Sequence, residues 1–369
     1  SVAALAADEC RRSGTPPPWA LSIVFPHPEC NEETVQRGVA ESLGLPQELL
    51  PFDGLTDGAW FGAAVEMSRG WPMPLLNTWN PAYYGLALAG LRRGCRVLLT
   101  GAGGDEWLGV TPYLAADLIR ALDFRGLYQL WGAQRRSFQA PGWLLLRNLT
   151  WTFGLRPMLR DLILRSPGGR LAGFLLARRR LASRRKLPEW VAPDPALRRE
   201  LDQRAAIGVE PNPVSSHYYQ EGRSGFDHSL TATEMEEAFE NGRRTGTWFL
   251  HPYTTPEVID FLCWTPPPFL NRGGRSKGLV REWLARRFPE LGFDSQRKIS
   301  ATAFYRARVL SEGPVIWRQM GGPRALAELG LLDGGQAELL LKKILEKRHA
   351  EAYRIWDILS LEAWVRPRR

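Results

Sequence analysis

Cysteine and lysine are both scarce in this 369-residue chain. Its four cysteines (Cys10, Cys30, Cys95 and Cys263) include no CxxC pair and have no histidine at zinc-ligand spacing. That excludes a zinc ribbon and a disulfide framework, and the thiols read as reduced and buried, as in a cytosolic, cytoplasmic protein. The five histidines (His27, His217, His228, His251 and His349) show no metal spacing either. No stretch of roughly 18 residues is free of charge, as a membrane-crossing helix requires. The most apolar part, residues 143–164, carries Arg147, Arg156, Arg160 and Asp161. A transmembrane span is therefore excluded, and no membrane partner is expected. No signal peptide, internal repeat or low-complexity tract is visible.

Only six lysines (Lys186, Lys277, Lys298, Lys342, Lys343 and Lys347) stand against 42 arginines. The positive charge is localised: residues 120–204 hold 18 basic and 6 acidic side chains, whereas the chain as a whole has net charge +9. Such a block can meet nucleic acid, acidic lipid or an acidic protein. The plainer reading is an arginine-covered solvated face of helices. No nucleic-acid motif accompanies the block, which argues against a nucleic-acid partner. Basic residues 177–186 read as one such face. The fifteen tryptophans sit mostly in helical stretches and read as packing residues rather than base-stacking platforms.

The chain has no initiator Met and opens directly into an apolar helical pattern over residues 1–12, as a chain entered part-way through a fold would. Residues 19–25 (WALSIVF) form an apolar run of strand length. A helical period over 32–43 ends at Gly44, a weaker strand follows at 47–52, and a helix over 81–93 ends at Gly94. Residues 95–100 (CRVLLT) read as another strand. Alternating strands and helices with short connections predict an α/β fold, with a parallel sheet covered by helices on both faces. The basic block reads as several helices, and 210–225 as a loop. Residues 230–242 read as a helix with a Thr231–Glu234 capping box. From residue 255 onward the pattern is helical, over 256–263, 276–288, 304–320, 323–329 and 334–365. The expected organisation is a nucleotide-binding core over 1–118, a basic helical insertion over 119–229, and a helical part over 230–369 that completes the site.

The most informative segment is the strand that runs into Thr100-Gly101-Ala102-Gly103-Gly104-Asp105-Glu106. Ligands of open parallel sheets sit beyond the carboxyl ends of strands. Glycines let a ligand approach the backbone, whose N–H groups can hold phosphate oxygens. A carboxylate at the rim can hold Mg²⁺. The competing reading is a tight turn in which Asp105 or Glu106 caps the next helix. A second constellation is Gly273-Gly274-Arg275-Ser276-Lys277, then Arg281, then Arg297-Lys298. Lysine is a compact cation suited to charge developing on phosphate or carbonyl oxygen. Lys277 and Arg281 read equally well as a solvated i, i+4 helix face, and Lys298 as a loop charge.

Taken in order, these segments resemble the synthetase domain of the asparagine synthetase family: LTGAGGDE (99–106), His251-Pro252-Tyr253, the GGRSK segment with Arg281, then Pro289-Glu290 and Arg297-Lys298. Residues 1–7 (SVAALAA) resemble the helix after that family's pyrophosphate loop, SGGxDS, and 21–25 (LSIVF) its second strand. The resemblance implies an adenine-nucleotide-hydrolase-like core and ATP·Mg²⁺-dependent adenylation of a carboxylate, small-molecule or peptidic. Ammonia or an amine then attacks the adenylate. It implies that Asp105 holds Mg²⁺ and pyrophosphate, that Glu106 supports the substrate edge, and that Thr100, Gly101, Gly103 and Gly104 contact the nucleotide. It further implies that Ile23 lines the adenine pocket, that Lys277 neutralises a phosphate, and that Lys298 is the catalytic lysine. The amine donor is expected from a glutaminase domain upstream of Ser1. Without the pyrophosphate loop, this chain alone is expected to bind ATP weakly and to make no product.

Several positions depart from the family pattern. Ala102 stands where asparagine synthetases usually carry Glu, and Pro252-Tyr253-Thr254-Thr255 replaces Pro-Phe-Leu-Asp. Leu250 and Trp248 replace an Arg and a Glu. These changes point away from aspartate and toward a divergent relative acting on another carboxylate. The alternative is an inactive relative that binds a peptide or protein through the basic block.

Overall fold

A computed structural model describes residues 1–184, 188, 190–207, 213–220, 228–296 and 299–368. Helix α1 (Val2–Ser13) stops at Gly14, whose φ is 66°; the Gly14 N–H donates to the Arg11 carbonyl and the Thr15 N–H to the Cys10 carbonyl. Strand β1 (Ala20–Val24), α2 (Glu33–Leu43) and β2 (Gln47–Pro51) form a βαβ unit. Its strands pair in parallel from Ala20↔Gln47 to Val24↔Pro51. Helices α3 (Trp60–Arg69) and α4 (Asn80–Arg92) follow, then β3 (Val97–Leu99). The basic block comprises α5 (Leu114–Arg120), α6 (Phe124–Ser137), α7 (Gly142–Arg147), a π-helical stretch Asn148–Leu155, α8 (Arg156–Arg165), α9 (Gly169–Arg184) and α10 (Pro195–Ala206). Helix α11 (Ser229–Thr245) leads into β4 (Trp248–Leu250), which pairs in parallel with β3. The chain ends in α12 (Pro256–Trp264), α13 (Gly278–Arg287), α14 (Thr302–Met320), α15 (Gly334–Glu346) and α16 (Tyr353–Val365).

The chain is thus mostly helical with small parallel sheets, as an α/β fold allows. Where the sequence predicts one sheet, the described strands form two separate parallel pairs, β1–β2 and β3–β4. A cavity lies between the facing edges of β1 and β3. The helix read over 334–365 is two helices, α15 and α16, joined by a 3₁₀ turn at His349–Glu351. The capping box is also corrected. The helix begins one residue earlier than read, at Ser229, and its cap is His228 rather than Thr231: the His228 ring accepts the Leu230 N–H at 3.2 Å. Much of the loop read over 210–225 lies outside the described residues.

The main core joins the two ends of the chain. Phe52, Trp60, Phe61 and Trp71 are fully buried, and α14 and α16 bring Trp317, Ile355 and Leu359 against them. Trp60 stacks on Trp79 with ring centroids 5.0 Å apart. Its indole N–H donates to the Thr78 carbonyl at 2.7 Å, and that of Trp356 to the Leu76 carbonyl at 2.8 Å. Burying each such side chain contributes roughly 1.5–3 kcal/mol. These tryptophans are packing residues, whereas Trp143, Trp151, Trp248 and Trp264 are exposed. All four cysteines are free thiols. Only Cys30 is buried, and the other three are half-buried, which corrects the expectation of four buried thiols.

Candidate active site

Strand β3 carries the GAGGDE turn to the wall of a cavity of about 1220 Å³. Thr100, Gly101 and Ala102 line it, together with Ser1 at the start of α1, Glu32 before α2, Glu234 and Glu237 of α11, and His251 beyond β4. Leu21, Val35, Val39, Leu86, Leu98 and Phe249 make the remaining wall largely apolar. An apolar cavity with few convergent polar groups, running along the edges of β1 and β3 and reaching the carboxyl end of β3, has the form of a small-molecule site.

The turn's glycines have different reasons to be there. Gly103 has φ 88°, and a Cβ on it would lie 2.8 Å from Thr254 Cγ2. Only glycine fits that conformation and that approach. Gly101 has no protein atom within 4 Å of an added Cβ, so nothing in the fold demands glycine at this position. The Gly104 N–H donates to the Gly101 carbonyl at 3.1 Å and closes the turn. A helical turn, Gly104–Trp107, then carries Asp105 and Glu106.

Lys277 comes to this turn from the far end of the chain. It is a left-handed residue (φ 58°) immediately before α13, and its ammonium forms an ion pair with Asp105. The loop that delivers it is docked on the end of α6. The Ser276 N–H donates to Ser137 Oγ at 2.9 Å, and Arg275 reaches the Arg136 carbonyl at 3.3 Å. Gly273 and Gly274 both have positive φ, and a Cβ on Gly274 would collide with the Arg136 guanidinium. Lys277 is therefore not part of the solvated helix face on which the sequence could also place it. Arg281 of α13 donates to the Phe293 carbonyl at 3.1 Å and the Gln296 carbonyl at 2.6 Å. It thus holds the loop that leads to 297–298. Lys298 itself, like Arg297, lies outside the described residues.

Acidic groups surround the cavity. Desolvation and the charge of Asp105 push the Glu32 carboxyl above its usual range, so the two acids face each other electrostatically. Desolvation and Glu106 do the same to Glu234. Glu237 is 1% exposed. Burial raises it against the pull of the Leu76 and Asn77 N–H groups and of Asn80 Nδ2, which donates at 2.9 Å. Among the described residues no group of three or more His, Cys, Asp or Glu could hold a metal by itself. Mg²⁺ needs only one or two carboxylates when phosphate oxygens complete its shell. Asp105 is a hard-oxygen donor of that kind, so it fits Mg²⁺ brought in with a polyphosphate.

The structure brings Thr100, Gly101, Gly103, Gly104, Asp105, Glu106 and Lys277 together at one turn. Ile23 packs against the main core and is not among the residues that line this cavity. Sequence reasoning missed Glu32, Glu234, Glu237 and Tyr253, whose hydroxyl bonds Ser1 Oγ. Isolated acids on amphipathic helices carry no local signal. The proline after His251 marked the Tyr253 turn without giving its direction.

Among known families, the sequence pattern of asparagine synthase matches residues 1–366. No curated protein matches the chain. The family match spans both the β3 turn and the Lys277 loop that folds back onto it. By that match over nearly its whole length, the chain belongs to the asparagine synthase family.

Proposed function

We propose that this chain is an asparagine synthetase-like ligase that uses ATP to adenylate a carboxylate and passes the acyl group to ammonia or an amine. Family membership supports an ATP-dependent, synthetase-type function in general. The observation that carries the finer reading is the ion pair between Asp105 and Lys277, made across the glycine turn at the end of β3. It joins a cation-holding carboxylate to a phosphate-neutralising ammonium beside the cavity.

In the first step a carboxylate oxygen attacks the α-phosphorus of ATP, and pyrophosphate leaves. In the second the amine nitrogen attacks the acyl carbon, AMP leaves, and the nitrogen gives up a proton. Asp105 would hold Mg²⁺, which would supply neutralising charge to the phosphates, with Glu32 lining the same cavity. Lys277 exchanges its Asp105 partner for a phosphate oxygen. The open face of Gly101 admits the nucleotide to the backbone, while Glu106 supports the substrate edge. Lys298 stabilises the charge that develops in both steps. Ala102 offers the acyl group no polar contact, so the acid is one that needs none at this position.

The test is carboxylate-dependent release of pyrophosphate from ATP by the natural full-length protein, over a panel of small acids and peptide carboxylates. Release with at least one acid, abolished in Lys277→Ala, supports the reading. ATP turnover that ignores every acid, or that yields ADP, overturns it.

A further inference from the structure

Residues 124–184 contain twelve arginines and a single acid, Asp161. Asp161 is 4% exposed and faces His217 Nε2 at 3.1 Å, so no carboxylate of this stretch meets solvent. The apolar residues of the same stretch do the reverse of what a core requires. Leu159, Leu162 and Ile163 of α8 are 40%, 64% and 51% exposed, and Leu171, Phe174 and Leu175 of α9 are 65%, 62% and 54% exposed. Each triplet has i, i+3, i+4 spacing and forms one outward stripe. By the same geometry Arg156 and Arg165 flank the stripe of α8, and Arg170 and Arg179 that of α9, all four exposed. The two helices pack on one another where Leu164 covers Gly173. Just upstream, Trp143 and Trp151 are 66% and 56% exposed, and the Arg147 guanidinium lies 5.4 Å from the Trp143 ring centroid.

We infer that this arginine-flanked apolar face of α7–α9 docks on an anionic lipid surface. Among the described residues no helix is long and apolar enough to cross a membrane, so these helices would lie in the headgroup plane. The composition fits that position. Leucine and phenylalanine stripes enter the acyl boundary, tryptophans sit at headgroup depth, and arginines pair with lipid phosphates. The charge complementarity is one-sided, because the only acid is turned inward. A nucleic acid would use the arginines but leave the apolar stripes in water. A protein partner would need acids of its own opposite every arginine, whereas a lipid surface supplies them wherever the helices lie.

The experiment is co-sedimentation of the natural protein with vesicles of phosphatidylcholine, alone or with about one-third phosphatidylglycerol. Binding to the anionic vesicles is expected to exceed binding to the neutral ones by at least about tenfold, and to fall as salt rises toward about 1 M. Leu171→Ser with Phe174→Ser is expected to lower anionic-vesicle binding at least about fivefold, and Arg170→Glu with Arg179→Glu at least about tenfold. Both pairs are exposed, and circular dichroism checks that the variants stay folded; should the serine pair misfold, the charge-reversed pair decides. No binding to anionic vesicles, equal binding to neutral ones, or binding that survives in the folded variants would overturn the proposal. Capture of an acidic protein without vesicle binding would overturn it as well.

Discussion

Thr100 and His251 tie together the carboxyl ends of the paired strands β3 and β4. Thr100 Oγ1 accepts the Ala102 N–H at 3.2 Å and shares a hydrogen bond with His251 Nδ1 at 2.6 Å. Burial holds the His251 pKa below its usual value, which favours the neutral ring. Thr100→Val removes the shared hydroxyl and leaves two half-buried groups without it. The expected cost is about 1–2 kcal/mol in urea unfolding. A change within a few tenths of a kcal/mol would mean that the two ends are held by their ladder alone.

Gly101 and Gly103 separate structural from ligand-facing need. Gly103→Ala forces a Cβ into Thr254 at positive φ and is expected to destabilise the chain by about 1–3 kcal/mol. Gly101→Ala meets no protein atom and is expected to leave the unfolding midpoint in place while weakening nucleotide binding. Unfolding curves and titration with MgATP on both variants decide. A Gly101→Ala that only destabilises would contradict the assignment.

The Arg281 guanidinium holds the Phe293 and Gln296 carbonyls, so it is assigned as a positioning residue. Arg281→Leu is expected to lower kcat by about tenfold or more and to leave the KM for ATP within about twofold. Loss confined to KM would place the arginine on the nucleotide instead.

Glu240 supplies a pH-dependent part of the stability of α11, the helix that carries Glu234 and Glu237 to the cavity. Hydrogen bonds from Arg243 at 2.7 Å and Arg244 at 2.6 Å hold its carboxyl down to about 2. A depressed carboxylate stabilises the fold above its unfolded value of 4.5 and loses that contribution as pH falls toward about 2. Glu240→Gln is expected to cost about 1–3 kcal/mol at neutral pH and little near pH 2. A deficit that does not shrink in acid would refute the ion pair's part.

Local signals in the sequence reached far into this fold. Gly14, Gly44 and Gly94 marked where α1, α2 and α4 stop, and all three have positive φ. The LTGAGGDE run placed β3 and its turn because strand, glycines and acids are consecutive. The Asp105–Lys277 ion pair was not legible: the resemblance gave each residue a role at a phosphate, and no periodicity links residues 172 positions apart. The division into two strand pairs was not legible, because β1 and β3 each read as ordinary strands and their separation by a cavity is a tertiary fact. The apolar stripes of α8 and α9 were read as helical. Spacing gives a face, but which way that face points depends on what packs against it.

The central claim is that a carboxylate oxygen attacks the α-phosphorus of ATP. The most direct test uses an accepted acid labelled with ¹⁸O in its carboxylate, with mass spectrometry of the nucleotide product. Adenylation and amide formation predict one ¹⁸O in AMP for each amide made, and none in pyrophosphate. Label in inorganic phosphate beside ADP, or unlabelled AMP, would contradict the account.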